Sequence, residues 1–500
     1  MAAALRLYDL GGQSIWLDEL FSLETSAGRN HHHLDTPLNE FLVDPPITTS
    51  LADARPWYYV LGTPSLDIHP PLYFLLLRGW RELWGDSDTW ARGLSVIWSV
   101  ATVLLVYAVG RMLSGQFTAA WATLLCALAT PQIQYAQEIR HYAMLSALVL
   151  ACAAVLLWIE RRGRSPWRMA WLALLVLAAL LTHYFALPAL AAIGLHALIR
   201  LRGRDRWAAV GAMGAGVILF ALLWGPSIVE QSRAGAVSIA IETLLEPPDG
   251  HWLKVLDRLA LLPARFISEP PPADRFVVRG MAIILLLPLL LLRRRPALLL
   301  PYLLLILPAV AVAANDWLRS TALLNWIRFT LVAAPGLYLM LPMLIDRPRL
   351  RWILPAACSA MALLGIGDAY RTYTENYREV AEYFDTRARP GDLILISSIN
   401  AQATESHPGV LHMGVRHYLR RSDLTFLLID DIPSDQLRQA MRRYPRVLML
   451  WGFPQQRFSE IFPDATPGDG LISFPLGRAV TVQWDAAADG PATGVSPKIE

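Results

Sequence analysis

The chain has 500 residues, 55% of them hydrophobic and only 17% charged, a composition that excludes a string of soluble domains and points to a polytopic membrane protein. The net charge of +3 comes from arginines spaced between apolar runs, not gathered in a patch, and gives no sign of a nucleic-acid partner. Three cysteines, Cys126, Cys152 and Cys358, lie inside apolar runs and form neither a disulfide framework nor a zinc spacing.

In chain order, the opening "MAAALRLYD" is too short for a signal peptide or a membrane span. Residues 11–90 are mixed in character, with breaks at Pro45–Pro46 and Pro70–Pro71. Apolar runs follow at 91–112, 117–133, 141–160, 167–182, 185–200, 207–226, 277–292, 296–314, 327–345 and 350–367. Several fall short of the about 20 residues that a spanning helix prefers. The 167–200 stretch is too long for one crossing and divides at "THYF" (182–185). The tail from 368 alternates helical and strand patterns: "NYREVAEYFDTRA" (376–388), "PGDLILIS" (390–397), "LTFLLID" (424–430), "SDQLRQAMRRY" (434–444) and "RVLMLWG" (446–452). Such alternation predicts a small α/β domain with a short parallel sheet. Residues 485–500 have the composition of a disordered end.

Arginine placement sets an orientation. The connections near 111, 160–168, 200–206, 293–295 and 347–351 are arginine-rich, and they alternate with connections that carry only Arg140 and Arg319. The positive-inside tendency makes the arginine-rich side cytoplasmic. The 11–90 segment, "QEIRHY", "THYF", the loop 227–276, "NWIRF" and the tail then share the outer face.

Five stretches on that face carry polar groups. Asp18–Glu19 in "SIWLDELFSL" (14–23) is flanked by Ile15, Trp16, Leu17, Leu20 and Phe21. It reads either as the first turn of a helix at a membrane surface or as a carboxylate pair at the bilayer boundary, where partial desolvation strengthens a base. In "DIHPPLYFLLLRGW" (67–80), Asp67 and His69 precede a proline pair and a short interfacial helix, as a plain helix start or as functional groups. "QEIRHYAML" (137–145) gathers Glu138, Arg140, His141 and Tyr142. An outer arginine beside a membrane suits either a phosphate headgroup or a structural carboxylate. "THYF" supplies His183 and Tyr184, and "NWIRF" supplies Arg328, a second outward cation that snorkelling alone would also explain. The run "HHH" (31–33) lacks a metal-ligand spacing. There is no Walker A, no GxGxxG leading out of a strand and no GxSxG.

In their order, "WLDELFSL", "HPPLYFLLL", "QEIRHYAML", "THYFAL" and "RFTLVAAPGLYLML" resemble the GT-C membrane glycosyltransferases. The chain looks most like the bacterial family 39-type and RgtA/B/C/D-like enzymes, kin to protein O-mannosyltransferases and the lipid A aminoarabinose transferases. The resemblance spans residues 5–367, and the tail is similar to the soluble domains of that group. It implies a polytopic α-helical protein of about ten to eleven transmembrane helices. Residues 1–10 would be the remnant of a first transmembrane helix, whose true start lies upstream. Residues 11–90 would form the first extracytoplasmic loop with interfacial helices, 91–367 the helical membrane domain, and 368–500 an extracytoplasmic α/β domain.

The implied activity is inverting transfer of a sugar from a polyprenyl-phosphate carrier to an acceptor hydroxyl outside the bacterial cytoplasmic membrane. The acceptor class — glycan, lipid or protein — stays open. By the resemblance Asp18, with Glu19 beside it, is the catalytic base. Arg140, Tyr142 and Arg328 hold the donor phosphate, and Asp67, His69, Glu138, His141, His183 and Tyr184 shape the sugar and acceptor pocket. No cofactor is assigned, and a divalent metal is left open. Two rival readings are a transporter or flippase of lipid-linked sugars and a non-catalytic scaffold. Against transport, ionisable residues are nearly absent from the middle of the apolar runs.

Overall fold

The computed structural model of the chain describes residues 1–62, 69–233, 251–271, 275–370, 375–397, 407–430, 434–444, 446–451, 465–467, 472–474 and 477–484. The chain divides into two units. The first comprises Met1–Gln13, Phe21–Asn30 and Leu51–Thr372; the second comprises Ser14–Leu20, His31–Ser50 and Tyr373–Glu500.

The first unit is helical. It opens with α1 (Ala2–Leu7), and α2 (Leu17–Ser26) carries its last turns in this unit. After α3 (Leu72–Trp84) come α4 (Asp88–Ser114), α5 (Gln116–Leu128), α6 (Thr130–Gln134) and α7 (Tyr142–Arg162). Next are α8 (Pro166–Thr182), α9 (Ala186–Arg200) and α10 (Gly203–Arg233). The series ends with α11 (His251–Arg265), α12 (Arg275–Leu291), α13 (Leu299–Arg319), α14 (Ala334–Met340) and α15 (Ile353–Leu364). Among the described residues four helices are long and apolar enough to cross a membrane: α4, α7, α10 and the stretch Pro296–Arg319 that contains α13. Shorter apolar helices fill in between, and α8 and α9 meet at the "THYF" corner, where the sequence divides.

The run 327–345, expected as one helix, is instead a chain of short pieces. Single 3₁₀ turns at Ile327–Phe329 and Leu331–Ala333 lead into α14, and another turn at Leu341–Met343 follows. Pro335 and Pro342 each withhold a backbone donor, so an unbroken ladder cannot form across the run. Residues 331–344 are buried throughout, so the segment is packed inside the helices and not turned toward lipid. Its close approach needs Gly336, where an added Cβ would stand 2.6 Å from the Pro301 carbonyl oxygen and 2.7 Å from the Leu305 nitrogen. The run 117–133 is also broken, because Ala129 leaves the helical region between α5 and α6. The end of α5 is held by Arg6, fully buried, which donates to the carbonyls of Cys126 at 3.1 Å and Ala127 at 3.2 Å and to Ser99 Oγ at 2.6 Å. A guanidinium is well suited to the unpaired carbonyls that close a helix.

The second unit is α/β. Its sheet contains β1 (Phe41–Val43), β2 (Leu393–Ser397), β3 (Thr425–Ile429), β4 (Val447–Trp451), β5 (Ala465–Pro467), β6 (Ile472–Phe474) and β7 (Gly477–Trp484). The order is β1-β3-β2-β4-β7-β5, with β6 also on β7. The centre is parallel, Leu393 facing Thr425 on one side and Val447 on the other. Three helices, α16 (Tyr377–Arg387), α17 (Pro408–Tyr418) and α18 (Asp435–Met441), accompany these strands. Of these, α16 and α18 fall on the helical patterns at 376–388 and 434–444, whereas α17, between β2 and β3, has no counterpart in the sequence reading. Every residue of "LILIS" is buried, as expected of a strand covered on both faces. Below it Leu395, Leu427, Ile429, Met441 and Met449 form one core. Residues 31–50, read from sequence as part of the first loop, belong to this unit: β1 adds an antiparallel edge to β3, and Phe41 stacks on Tyr444 at 5.3 Å. The compositionally disordered end, 485–500, lies outside the described residues.

One histidine in this unit has a pH consequence. His412 on α17 is buried with its ring edge-on to Phe426 at 5.1 Å, and its Nε2 has no hydrogen-bond partner. Burial, reinforced by Arg416, pushes its pKa from 6.5 down to about 3. The folded state therefore holds the ring neutral, whereas the unfolded chain binds a proton near pH 6.5. The stability it contributes is complete above pH 6.5 and is lost as pH falls from there toward 3. Hydrogen exchange of the β2–β4 amides, corrected for intrinsic rate, is expected to accelerate by up to about tenfold per pH unit between pH 6.5 and 4. In His412→Leu that slope should flatten, and an unchanged slope would remove His412 as its source.

Candidate active site

The site forms where the chain turns between apolar helices. The segment joining α6 to α7 is short and buried, and it carries Glu138, Arg140 and His141, which are 2%, 4% and 0% exposed. Its backbone is pinned because Ser95 Oγ on α4 donates to the Arg140 carbonyl at 3.1 Å and pairs with Tyr73 Oη of α3 at 3.0 Å. The Arg140 guanidinium then reaches two groups from elsewhere in the chain. Its Nη1 donates to Ser22 Oγ of α2 at 3.2 Å, and its Nη2 lies 3.3 Å from His69 Nε2, just before α3. The ring of Tyr142 lies 5.8 Å from the guanidinium carbon.

Three imidazoles stand together here. The His69 ring is 4.9 Å from His141 and 5.3 Å from His183, and His141 and His183 are 4.4 Å apart. His141 makes no hydrogen bond through either ring nitrogen. Burial holds the pKa of His141 well below its ordinary value, helped by His183, Arg140, His69 and Arg328. Burial does the same to His183, with His69 and Arg140 adding to it. Both rings are therefore neutral near pH 7. The chain of aromatic contacts continues outward: His183 stacks on Phe185 at 4.9 Å, and Phe185 meets Phe329 at 5.5 Å. Arg328 stands beside Phe329, its guanidinium carbon 5.2 Å from that ring and 4.9 Å from Trp326.

The structure thus brings together His69, Arg140, His141, Tyr142 and His183, with Arg328 within electrostatic reach, and Glu138 is buried on the same segment. Tyr184 turns elsewhere: its hydroxyl donates to Gln231 at 2.7 Å and accepts from Trp224 Nε1 at 3.0 Å, both on α10. Asp67 lies outside the described residues.

Asp18 and Glu19 sit in the first turn of α2, in the α/β unit. Glu19 is buried and folds back so that its Oε2 accepts from the Trp16 backbone N–H at 3.3 Å. That is the return half of a capping box, a role in starting the helix. Asp18, one residue earlier, is half-buried. The two neighbouring carboxylates therefore stand in different surroundings.

Over residues 68–226 the chain matches the family model described as dolichyl-phosphate-mannose-protein mannosyltransferase. The whole structure is similar to ArnT from Cupriavidus metallidurans bound to undecaprenyl phosphate, at 12% identity, 98% coverage of each chain and a TM-score of 0.55. The apo state of that protein matches at 13% identity, over 98% of this chain and 97% of ArnT, with a TM-score of 0.54. The chain carries the GT-C glycosyltransferase fold. A looser likeness is to the oligosaccharyltransferase AglB from Archaeoglobus fulgidus, solved with an inhibitory peptide and a dolichol-phosphate. There the identity is 10%, the coverage 92% of this chain and 70% of that one, and the TM-score 0.43. No curated protein gives a significant match to the sequence.

Within the GT-C fold, the residues that sequence reasoning missed are those that hold the arginines in place. Ser22 and Ser95 are two. A third is Arg265 at the end of α11, buried and paired with Glu269 through bonds of 2.8 Å and 3.0 Å. It also donates to the carbonyls of Leu324 and Asn325, both at 2.7 Å, just before the turn that carries Arg328. The Glu269 N–H donates to Thr130 Oγ1 at 2.6 Å, at the head of the segment leading to Arg140. A charged pair with its hydrogen bonds satisfied on both sides thus ties the two arginine-bearing turns together.

A divalent metal does not fit the three-histidine cluster. Its ligand atoms lie within 4.8 Å of one another, a spacing that would suit an ion. Two of the three rings, however, already have a nitrogen engaged. His69 Nε2 faces the Arg140 guanidinium, and His183 Nδ1 accepts from the Phe185 N–H at 2.9 Å, which places the proton of that neutral ring on Nε2. A guanidinium in contact with the cluster repels a cation and attracts an anion.

Proposed function

We propose that the chain is an inverting glycosyltransferase that moves a sugar from a polyprenyl-phosphate carrier to an acceptor hydroxyl on the extracytoplasmic side of a bacterial cytoplasmic membrane. The observation that carries this reading is the buried Arg140 guanidinium, set between Ser22 and His69 beside neutral imidazoles, in a fold shared with a protein solved bound to undecaprenyl phosphate. A guanidinium presents a planar fork of donors that matches the oxygens of a phosphodiester, so an arginine held at this place suits a lipid phosphate.

In this reading about ten to eleven helices cross the bilayer, and the arginine-rich connections lie inside. The active face and the α/β unit lie outside. Asp18 takes the proton from the acceptor hydroxyl as its oxygen attacks the anomeric carbon from the face opposite the phosphate. The bond from that carbon to the phosphate oxygen breaks, and its electron pair leaves with the carrier. The departing phosphate gains negative charge at that moment, so Arg140 and Arg328 bind the transition state more tightly than the intact donor. Tyr142 and His183 donate hydrogen bonds to the same group, and His69, Glu138 and His141 line the sugar side. Asp67 and Tyr184 belong to that pocket in the sequence reading, and the hydroxyl of Tyr184 adds little while it stays bonded to Gln231.

The full chain, reconstituted in vesicles with a radiolabelled polyprenyl-phosphate sugar and a crude acceptor extract, should release free polyprenyl phosphate in equal amount to the sugar transferred. Movement of the carrier across the bilayer without release of polyprenyl phosphate would favour the transporter reading instead.

A further inference from the structure

Apart from Asp18 itself the α/β unit contributes no residue to the chemistry just described, yet it holds the residues that lead into Asp18. Leu17 opens α2, and its N–H, which has no partner within the helix, donates to Glu375 Oε2 at 2.6 Å. Two residues earlier the Ile15 N–H donates to the hydroxyl of Tyr418 at 2.8 Å. At Ser14, Oγ accepts from the Arg378 N–H at 3.3 Å. Three points within four residues are thus tied to positions more than 350 residues away in sequence, and all of them belong to the second unit.

The platform is closely packed. Arg378 lies on α16 with its guanidinium carbon 5.0 Å from the ring of Tyr418, the last residue of α17. The two helices touch where Gly414 faces Tyr377, so closely that an added Cβ would come within 2.3 Å of the ring. Ile15 and Leu17 are buried beside these contacts. A carboxylate at a helix start also complements the positive end of the helix dipole, so Glu375 favours the helix and fixes where it begins.

We infer that the α/β unit is a positioning device for the Asp18-bearing turn, with Glu375 and Tyr418 as its positioning residues. The inference rests on the reading of Asp18 as the base. Neither residue touches substrate; each acts by fixing the backbone from which Asp18 projects. A catalytic group displaced by about 1 Å loses up to about 10²-fold in rate, and removal of a helix-start partner falls in the lower part of that range.

The test uses the full chain in lipid vesicles. Glu375→Ala should lower kcat by about tenfold or more, with KM for the lipid-linked donor within about twofold of wild type. Glu375→Gln, whose amide oxygen still accepts the Leu17 N–H, should recover most of the rate. Tyr418→Phe, which removes one hydroxyl and disturbs the fold least, should show a severalfold loss, again in kcat. Hydrogen exchange at residues 15–20 should quicken in Glu375→Ala and return toward wild type in Glu375→Gln. Wild-type kcat in Glu375→Ala and Tyr418→Phe would overturn the proposal, with or without a change in exchange. So would a loss that appears only as less folded protein, with kcat per folded molecule intact. Failure of the Asp18 reading is seen separately, as transfer that survives Asp18→Asn.

Discussion

Asp18→Asn should lower kcat for sugar transfer by about 10²- to 10⁴-fold, the range a positioned general base supplies, while KM for the donor stays near wild type. The substitution is nearly isosteric and leaves a polar group at a half-buried position, so the start of α2 should survive it. An amide cannot take the acceptor's proton, and the loss belongs to the chemical step. Glu19→Gln gives the contrast. That side chain folds back on the Trp16 N–H, a bond an amide oxygen can also accept, so the expected loss is under about tenfold and arises through the helix start. Steady-state kinetics of the two variants under identical conditions separate the roles. Equal losses in both would break the distinction drawn between the two carboxylates, and unchanged transfer in Asp18→Asn would remove it from the mechanism.

The difference between these neighbours was not legible in the sequence. A capping box announces itself by Ser or Thr at its head, and here the head is Trp16, whose backbone alone takes part. The same limit applies more widely. His69, Arg140 and His183 stand at the ends of apolar runs, where a polar residue beside a membrane draws notice, and the structure does bring them together. Ser22, Ser95 and Arg265 act through hydroxyls and backbone carbonyls far away in sequence, and no spacing marks them. The strands β2, β3 and β4 and the helices α16 and α18 follow from short apolar runs and from helical periodicity, whereas α17 was not legible in the sequence. In contrast β1 is three residues long, too short to show a period, and it joins a sheet whose other strands begin some 350 residues later. The interruptions in the run 327–345 were not legible because its hydropathy matches a span, while Pro335 inside α14 and Pro342 just after it are individually tolerated in membrane helices.

Arg140→Ala should lower kcat/KM for the lipid-linked donor by about 10²- to 10³-fold, as expected when a buried donor to a developing anion is removed. Inhibition by the product, polyprenyl phosphate, should weaken in the same variant, because the product carries the charge that the guanidinium holds. Arg140→Lys restores the charge but not the fork. The native side chain reaches Ser22 and His69 from separate nitrogens while its ring-facing surface lies over Tyr142, and a single ammonium cannot reproduce that arrangement. Lysine should therefore recover only part of the loss. The carrier phosphate and the acceptor enter the reaction separately, so the effect should fall on the donor terms and leave KM for the acceptor nearly unchanged. The competing account makes Arg140 a purely structural tie between α2 and His69. That account predicts a loss of folded protein without weaker inhibition by polyprenyl phosphate, since an enzyme that folds without Arg140 would still bind the product as before. Measuring product inhibition on the folded fraction alone decides between them.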